Sequence, residues 1–275
     1  MHSRIRTLLV LLIALATMAP VCVLSGGDTR TRTVEVELGR GALVEVFGEN
    51  AAVRISRVYS NSLELTATLH NEEFVDFYTQ TMTPIPTDHL VISATTSTGG
   101  RTTANSVLDI GLPEGVRLVV RTSNRPITVQ GAFLSSASLS TNNGNVAVTN
   151  AVGDYDILTT NSEVTIQSVV GSVNASTSNA HVWFDGQITD GANSISTTNG
   201  DIAILLQQGS DVSISGTTHN GLVTIDGGDN GVSKDGDTAV ISHVVDGGRG
   251  ILNITNGPGA IHINLDAIEV FDQDS

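Results

Sequence analysis

Trp183 is the only tryptophan of the 275-residue chain. Glu163 lies 18 residues before His181 and Asp201 lies 20 after it, and His181 itself is two positions from Trp183. An exposed indole with hydrogen-bonding acids beside it is the chemistry of a platform on which a sugar ring stacks. The spacing predicts that Glu163, His181 and Asp201 stand on successive strands, with Glu163 and Asp201 about 9.6 Å apart. That separation is near the upper limit for the carboxylate pair of an inverting glycosidase. The plainer alternative is that the acids are solvated and that Trp183 packs beneath the N-terminal strands or a partner subunit of a homo-oligomer. Lys234 is the only lysine, no Ser-His-Asp order occurs, and no histidine pair has ligand spacing. The sequence therefore assigns no catalytic residue, no metal and no cofactor. His219 and His262 read as structural or exposed groups.

Asp226, Asp229, Asp235 and Asp237 stand among glycines, a pattern of oxygen ligands that could wrap Ca²⁺. The stretch lacks the terminal glutamate of an EF-hand loop and does not repeat as calcium-binding nonapeptides do, so a solvated loop is the default reading. Cys22, the only cysteine, sits where a lipoprotein signal places its lipidated residue, but Val21 stands where such signals carry a small one.

These residues are placed by a repeat. Asparagine, two free positions, Val or Ile, one free position and again an apolar residue recur from Asn50, Asn124, Asn143, Asn161, Asn179, Asn199 and Asn220. The last six asparagines follow at gaps of 19, 18, 18, 20 and 21 residues. Such a period marks a solenoid, whose units bury their apolar faces only by stacking. Side chains at the third and fifth positions share one strand face and must point inward, so the positions between them, including Trp183, point out. Asparagine at each corner tolerates a left-handed backbone and offers an amide to the next coil. Glycines 144, 200, 221 and 257, each after an asparagine, read as the most permissive corners. The fold expected is all-β: a single-stranded, β-helix-like solenoid with coils of about 18–21 residues.

Around this repeat, residues 1–25 have the charged start and apolar run of a secretory signal peptide, broken by Thr17 and Pro20 and short for a membrane span. Residues 26–32 read as a polar linker, 33–265 as one solenoid domain and 266–275 as a polar tail. Within the domain, residues 70–88 read as a loop excursion, and residues 251–263 as a final, stretched coil at the end of the stack. The net charge of −15 argues against nucleic acid as a partner.

The segment Gly48-Glu49-Asn50-Ala51-Ala52-Val53-Arg54-Ile55, then Leu108-Asp109-Ile110-Gly111-Leu112-Pro113-Glu114-Gly115-Val116 leading into repeated Thr-Ser-Asn corners, resembles the bacterial putative-adhesin domain family, a toastrack-type β-solenoid. The resemblance covers residues 33–265. It implies a secreted or surface-exposed, non-enzymatic domain that acts in adhesion or in sensing at the cell envelope, and it carries no catalytic residues across; the ligand expected is a surface glycan or a cationic peptide. Two other readings stay open. One is an envelope-stress sensor whose acidic surface attracts cationic peptides; the other is a carbohydrate-active enzyme centred on Trp183.

Overall fold

In the computed structural model the described residues are 29–72, 75–96, 104–189, 191–227 and 231–265. The signal-peptide segment, Cys22, Asp229 and the tail at 266–275 lie outside them. The described chain is all-β, two strands to a coil, and it builds a solenoid with two long faces.

One face carries the Val/Ile pairs of the repeat. Its central strands are β8 (Ile127–Gln130), β10 (Val146–Thr149), β12 (Val164–Gly171), β14 (Val182–Ile188) and β16 (Ile202–Leu206), each parallel to the next. Ile127, Val146, Val164, Val182 and Ile202 align across these strands, as do Val129, Val148, Ile166, Phe184 and Ile204. All ten are buried. These columns are the inward third and fifth positions that the repeat demands. Each such aliphatic group contributes roughly 1.5–3 kcal/mol by leaving water.

The return face is formed by β7 (Val116–Thr122), β9 (Phe133–Thr141), β11 (Val152–Thr159), β13 (Val173–Thr177) and β15 (Ala192–Thr197), again parallel. Its buried column Leu118, Ala137, Tyr155 and Val173 faces the repeat columns across the core. Ala137, one coil away, is the short neighbour of the large Tyr155 ring. The Tyr155 hydroxyl has no hydrogen-bond partner, and burial pushes its ionisation well above the ordinary phenol range.

The first and last coils in sequence are not the outermost coils in space. β1 (Thr29–Gly48) enters with its first half antiparallel to β3 (Ser62–His70), and its second half then runs between β5 (Thr87–Thr96) and β7. β2 (Ala51–Arg57) lies between β6 (Asn105–Leu112) and β8. At the other end β21 (Gly250–Asn256) lies between β15 and β17 (Val212–His219), while β22 (Ile261–Asn264) lies between β16 and β18 (Val223–Asp226). The strands at both ends of the described chain, β1 with β2 and β21 with β22, are therefore woven one coil inward. The expectation of a final coil at the end of the stack is corrected: β21 and β22 pair on both edges, and the coil of Asn220 lies outside them.

Three further expectations change. β1 begins at Thr29, so residues 29–32 are strand and not linker. Within 70–88, β4 (Val75–Thr81) pairs antiparallel with β5 in a hairpin and is no loop excursion. In the aspartate-rich stretch, β19 (Val232–Asp235) pairs with β20 (Thr238–Val244), which pairs in turn with β17. Edge strands invite pairing with other chains; on the return face β4 and β19 occupy the two edges, and the latter carries Lys234 and Asp235.

The corner asparagines are also used differently from the expectation. Only Asn220, at φ 59°, is left-handed; Asn124, Asn143, Asn161, Asn179 and Asn199 are not. What they build is an amide ladder. The Nδ2 of Asn124, Asn143, Asn161, Asn179 and Asn199 donates to the Oδ1 of the asparagine one coil back at 2.8–3.0 Å, down to Asn50. Nor does Gly144 supply backbone freedom. A Cβ there would lie 2.0 Å from the Arg125 carbonyl oxygen, so the residue is glycine because two coils touch at that point.

Candidate functional site

The repeat face presents its outward residues in straight rows. Thr165, Trp183 and Ala203 are register neighbours on β12, β14 and β16. Thr165 and Ala203 are short, so neither row neighbour hides the indole. Trp183 keeps 45% of its surface exposed; it is not packed beneath the N-terminal strands. Glu163, His181 and Asp201 stand just ahead of the same three strands, and the backbone ladder joins them: Val164 N–H donates to the His181 carbonyl at 3.1 Å and Val182 N–H to the Asp201 carbonyl at 3.0 Å. All four residues expected from the sequence thus fall on one surface, on three consecutive coils.

Their hydrogen bonds decide what they can do. Asp201 N–H donates to His181 Nδ1 at 2.9 Å. A ring nitrogen that accepts an amide proton holds no proton of its own, so the 3.4 Å approach of Asp201 Oδ2 to that nitrogen is no hydrogen-bonded ion pair. With Nδ1 accepting, His181 offers its Nε2–H as the ring's donor. Asp201 Oδ1 accepts Ala260 N–H at 2.8 Å, which ties its carboxylate to the start of β22. Glu163 Oε1 accepts the Thr165 hydroxyl at 3.2 Å and keeps its remaining acceptor capacity. The arrangement offers a flat ring, a carboxylate acceptor and an imidazole donor on rigid strands, which suits recognition of hydroxyl groups beside a stacking face.

Of the aspartates that could wrap Ca²⁺, Asp229 lies outside the described residues and the others have separate settings. Asp226 Oδ2 approaches His262 Nε2 at 3.4 Å, Asp235 is in β19, and the Asp237 carbonyl accepts Asn220 N–H at 2.7 Å. Among the described residues no three potential metal-ligating side chains gather.

Two surfaces are not visible in the repeat. On the return face a shallow trough of about 290 Å³ is bordered by Ser136, Ser138, Asp154, Asp156 and Asn174, with Arg117 at its margin. Arg117 Nε donates to the Gly41 carbonyl at 3.0 Å, which holds its guanidinium at the margin, while the exposed Asp154 and Asp156 give the trough two carboxylates against that one cation. The strand alternation of β9, β11 and β13 was the signal available for it. Elsewhere, Tyr59 is 90% exposed and lies against the Arg57 guanidinium at 4.7 Å, which in turn lies over Phe133 at 4.2 Å. Arg57 and Tyr59 are two positions apart, but Phe133 comes from a coil far away in sequence, and no spacing links it to them.

No protein-family model matches the chain, and no curated protein matches it. Solved structures do resemble it. A putative cell adhesion protein from Clostridium sporogenes is 14% identical, with 86% of this chain and 100% of that one covered at a TM-score of 0.45. A putative adhesin from Parabacteroides distasonis is 9% identical, covering 86% and 98% at 0.43. A putative lipid binding protein from the same species is 12% identical, covering 86% and 97% at 0.28.

Proposed function

We propose that this protein is an exported, non-enzymatic, adhesin-like solenoid at the cell envelope, and that its repeat face binds glycans through Trp183. The observation that carries the reading is the half-exposed indole on β14, flanked by short side chains, with Glu163 and His181 able to accept and donate beside it. Export rests on the charged and apolar start of the sequence, and the non-enzymatic reading on the structural bonds that occupy Asp201 and His181 Nδ1. A glycan array probed with the mature chain tests it. Trp183→Ala is expected to lower the strongest signal about tenfold, since loss of a stacked ring costs roughly 1.4 kcal/mol. The signal should persist at high salt, because stacking is not screened as exposed charges are. Undiminished binding by the alanine variant would overturn the assignment of the site, and reducing sugars released by the wild type and abolished in Glu163→Gln would restore the enzymatic alternative.

A second reading is favoured by the trough of Asp154 and Asp156 on a chain of net charge −15: capture of cationic peptides, as an envelope-stress sensor would require. Binding of a polylysine probe that collapses between low and physiological salt, and weakens in Asp154→Asn/Asp156→Asn, would support it. Equal binding by the double variant would remove it.

A further inference from the structure

Residues 250–264 occupy a slot whose walls belong to other coils. On the return face Ile254 lies between Ile195 and Gly216, and on the repeat face Ile263 lies between Ile204 and Ile225. Leu252, Ile254, Ile261 and Ile263 are buried in it. With this coil withdrawn, the slot would present an unpaired parallel edge on each side of each face and a gap in the aliphatic column, which is a template for an identical strand pair.

The connection into the slot is short and tightly turned. Residues 245–249 turn from β20 across the start of β17 to reach β21. Three of them in succession are left-handed: Asp246 at φ 51°, Gly247 at 95° and Gly248 at 71°. Glycine and aspartate are residue types that adopt that region readily, so the turn is tight by its sequence. The turn is held by Val245 N–H donating to the Val212 carbonyl at 2.9 Å, by Arg249 N–H donating to Asp211 Oδ1 at 2.8 Å and by the Arg249 guanidinium on the same carboxylate. Extended, five residues span about 17 Å and leave the left-handed region. A short hinge in front of an element that pairs with other coils on both edges favours exchange between copies, because exchange recreates the native contacts. The N-terminal woven coil lacks this device, since β1 passes from its pairing with β3 to its place beside β7 within one strand, through a register shift at 38–43 with a single left-handed residue, Gly41.

We infer that the slot between β15/β16 and β17/β18 accepts the final coil of a second copy of this chain, so that two molecules exchange residues 250–264 and form a strand-swapped dimer. The test uses the full chain with Cys22→Ser, made as two pools, one with Ser194→Cys and the other with Asn253→Cys. Ser194 and Asn253 are register neighbours on β15 and β21, at a strand separation of about 4.8 Å that a disulfide can bridge. The pools are unfolded, mixed, refolded over a range of protein concentrations and oxidised. A disulfide-linked heterodimer that increases severalfold with concentration is expected, as mass action requires. A linked fraction no greater than that of the Ser194→Cys pool alone would overturn the inference. Deletion of Gly247 and Gly248, with no cysteine added, gives an independent readout: light scattering should report a dimer, and a folded monomer would overturn the inference by itself.

Discussion

The two rows of corners along the solenoid solve one problem in opposite ways. At the asparagine corner the backbone stays out of the left-handed region through five coils, and side chains hold the coils in register. There the exposed amide ladder runs from Asn50 to Asn199, and beneath it threonines two positions earlier are buried. Thr122, Thr177 and Thr197 donate to the carbonyls of Ala51, Ser162 and Ala180 at 2.8–3.0 Å. At the opposite corner the backbone does the work: Gly131, Asn150 and Ser168 follow aligned residues in three consecutive coils, with φ of 66°, 50° and 54°. A side-chain ladder needs one residue type at one position and so repeats in the sequence. A backbone turn accepts glycine, asparagine or even serine, and leaves no such trace.

This contrast can be broken at its strongest point first. Gly144→Ala places a Cβ against the Arg125 carbonyl oxygen, a backbone atom that cannot swing aside, and is expected to cost about 3 kcal/mol in denaturant unfolding. An alanine tolerated there would mean that the coils can separate at the asparagine corner. Asn161→Ala removes the ladder bonds to Asn143 and Asn179. Because both remaining amides face water, the loss should be only about 1 kcal/mol, read as a lower urea midpoint. At the other corner the sign reverses: Ser168→Gly relieves a left-handed serine and should raise stability by about 0.5 kcal/mol after glycine's own entropy cost is counted. The smallest change is expected for Asn220→Gly, within a few tenths of a kcal/mol, since asparagine already tolerates its φ of 59°. Equal effects of Ser168→Gly and Asn161→Ala, in sign and size, would erase the distinction between the corners.

The ladder stops after Asn199 for a reason that the repeat does not contain. In the next coil of the stack Ile261 takes the place of Ile202, and the residue three before it is Pro258, with no amide to offer. Asn256, which reads as a corner, is instead buried in the row of Thr197 and Thr218. Its Nδ2 donates to the Ala260 carbonyl at 3.0 Å. Trp183 and its neighbours were legible because they sit inside regular coils, where period and alternation fix both the face and the row. The Asp154 and Asp156 trough was legible only as alternation on single strands, since pairing across β9, β11 and β13 brings its residues together, and the approach of Phe133 to Arg57 and Tyr59 was not, because it joins distant coils.

The sequence by itself determined the coil length, the inward Val and Ile columns and the outward position of Trp183, since strand alternation and a period near 20 act on each coil locally. Only the tertiary structure decided which coil stands beside which. Every coil offers the same backbone edge and a similar aliphatic pair, so the local pattern fits several neighbours equally well. The hairpin of β17 with β20 and the tight turn at 245–249 make the choice, by carrying the last strands back between two coils that the repeat alone would have left in contact.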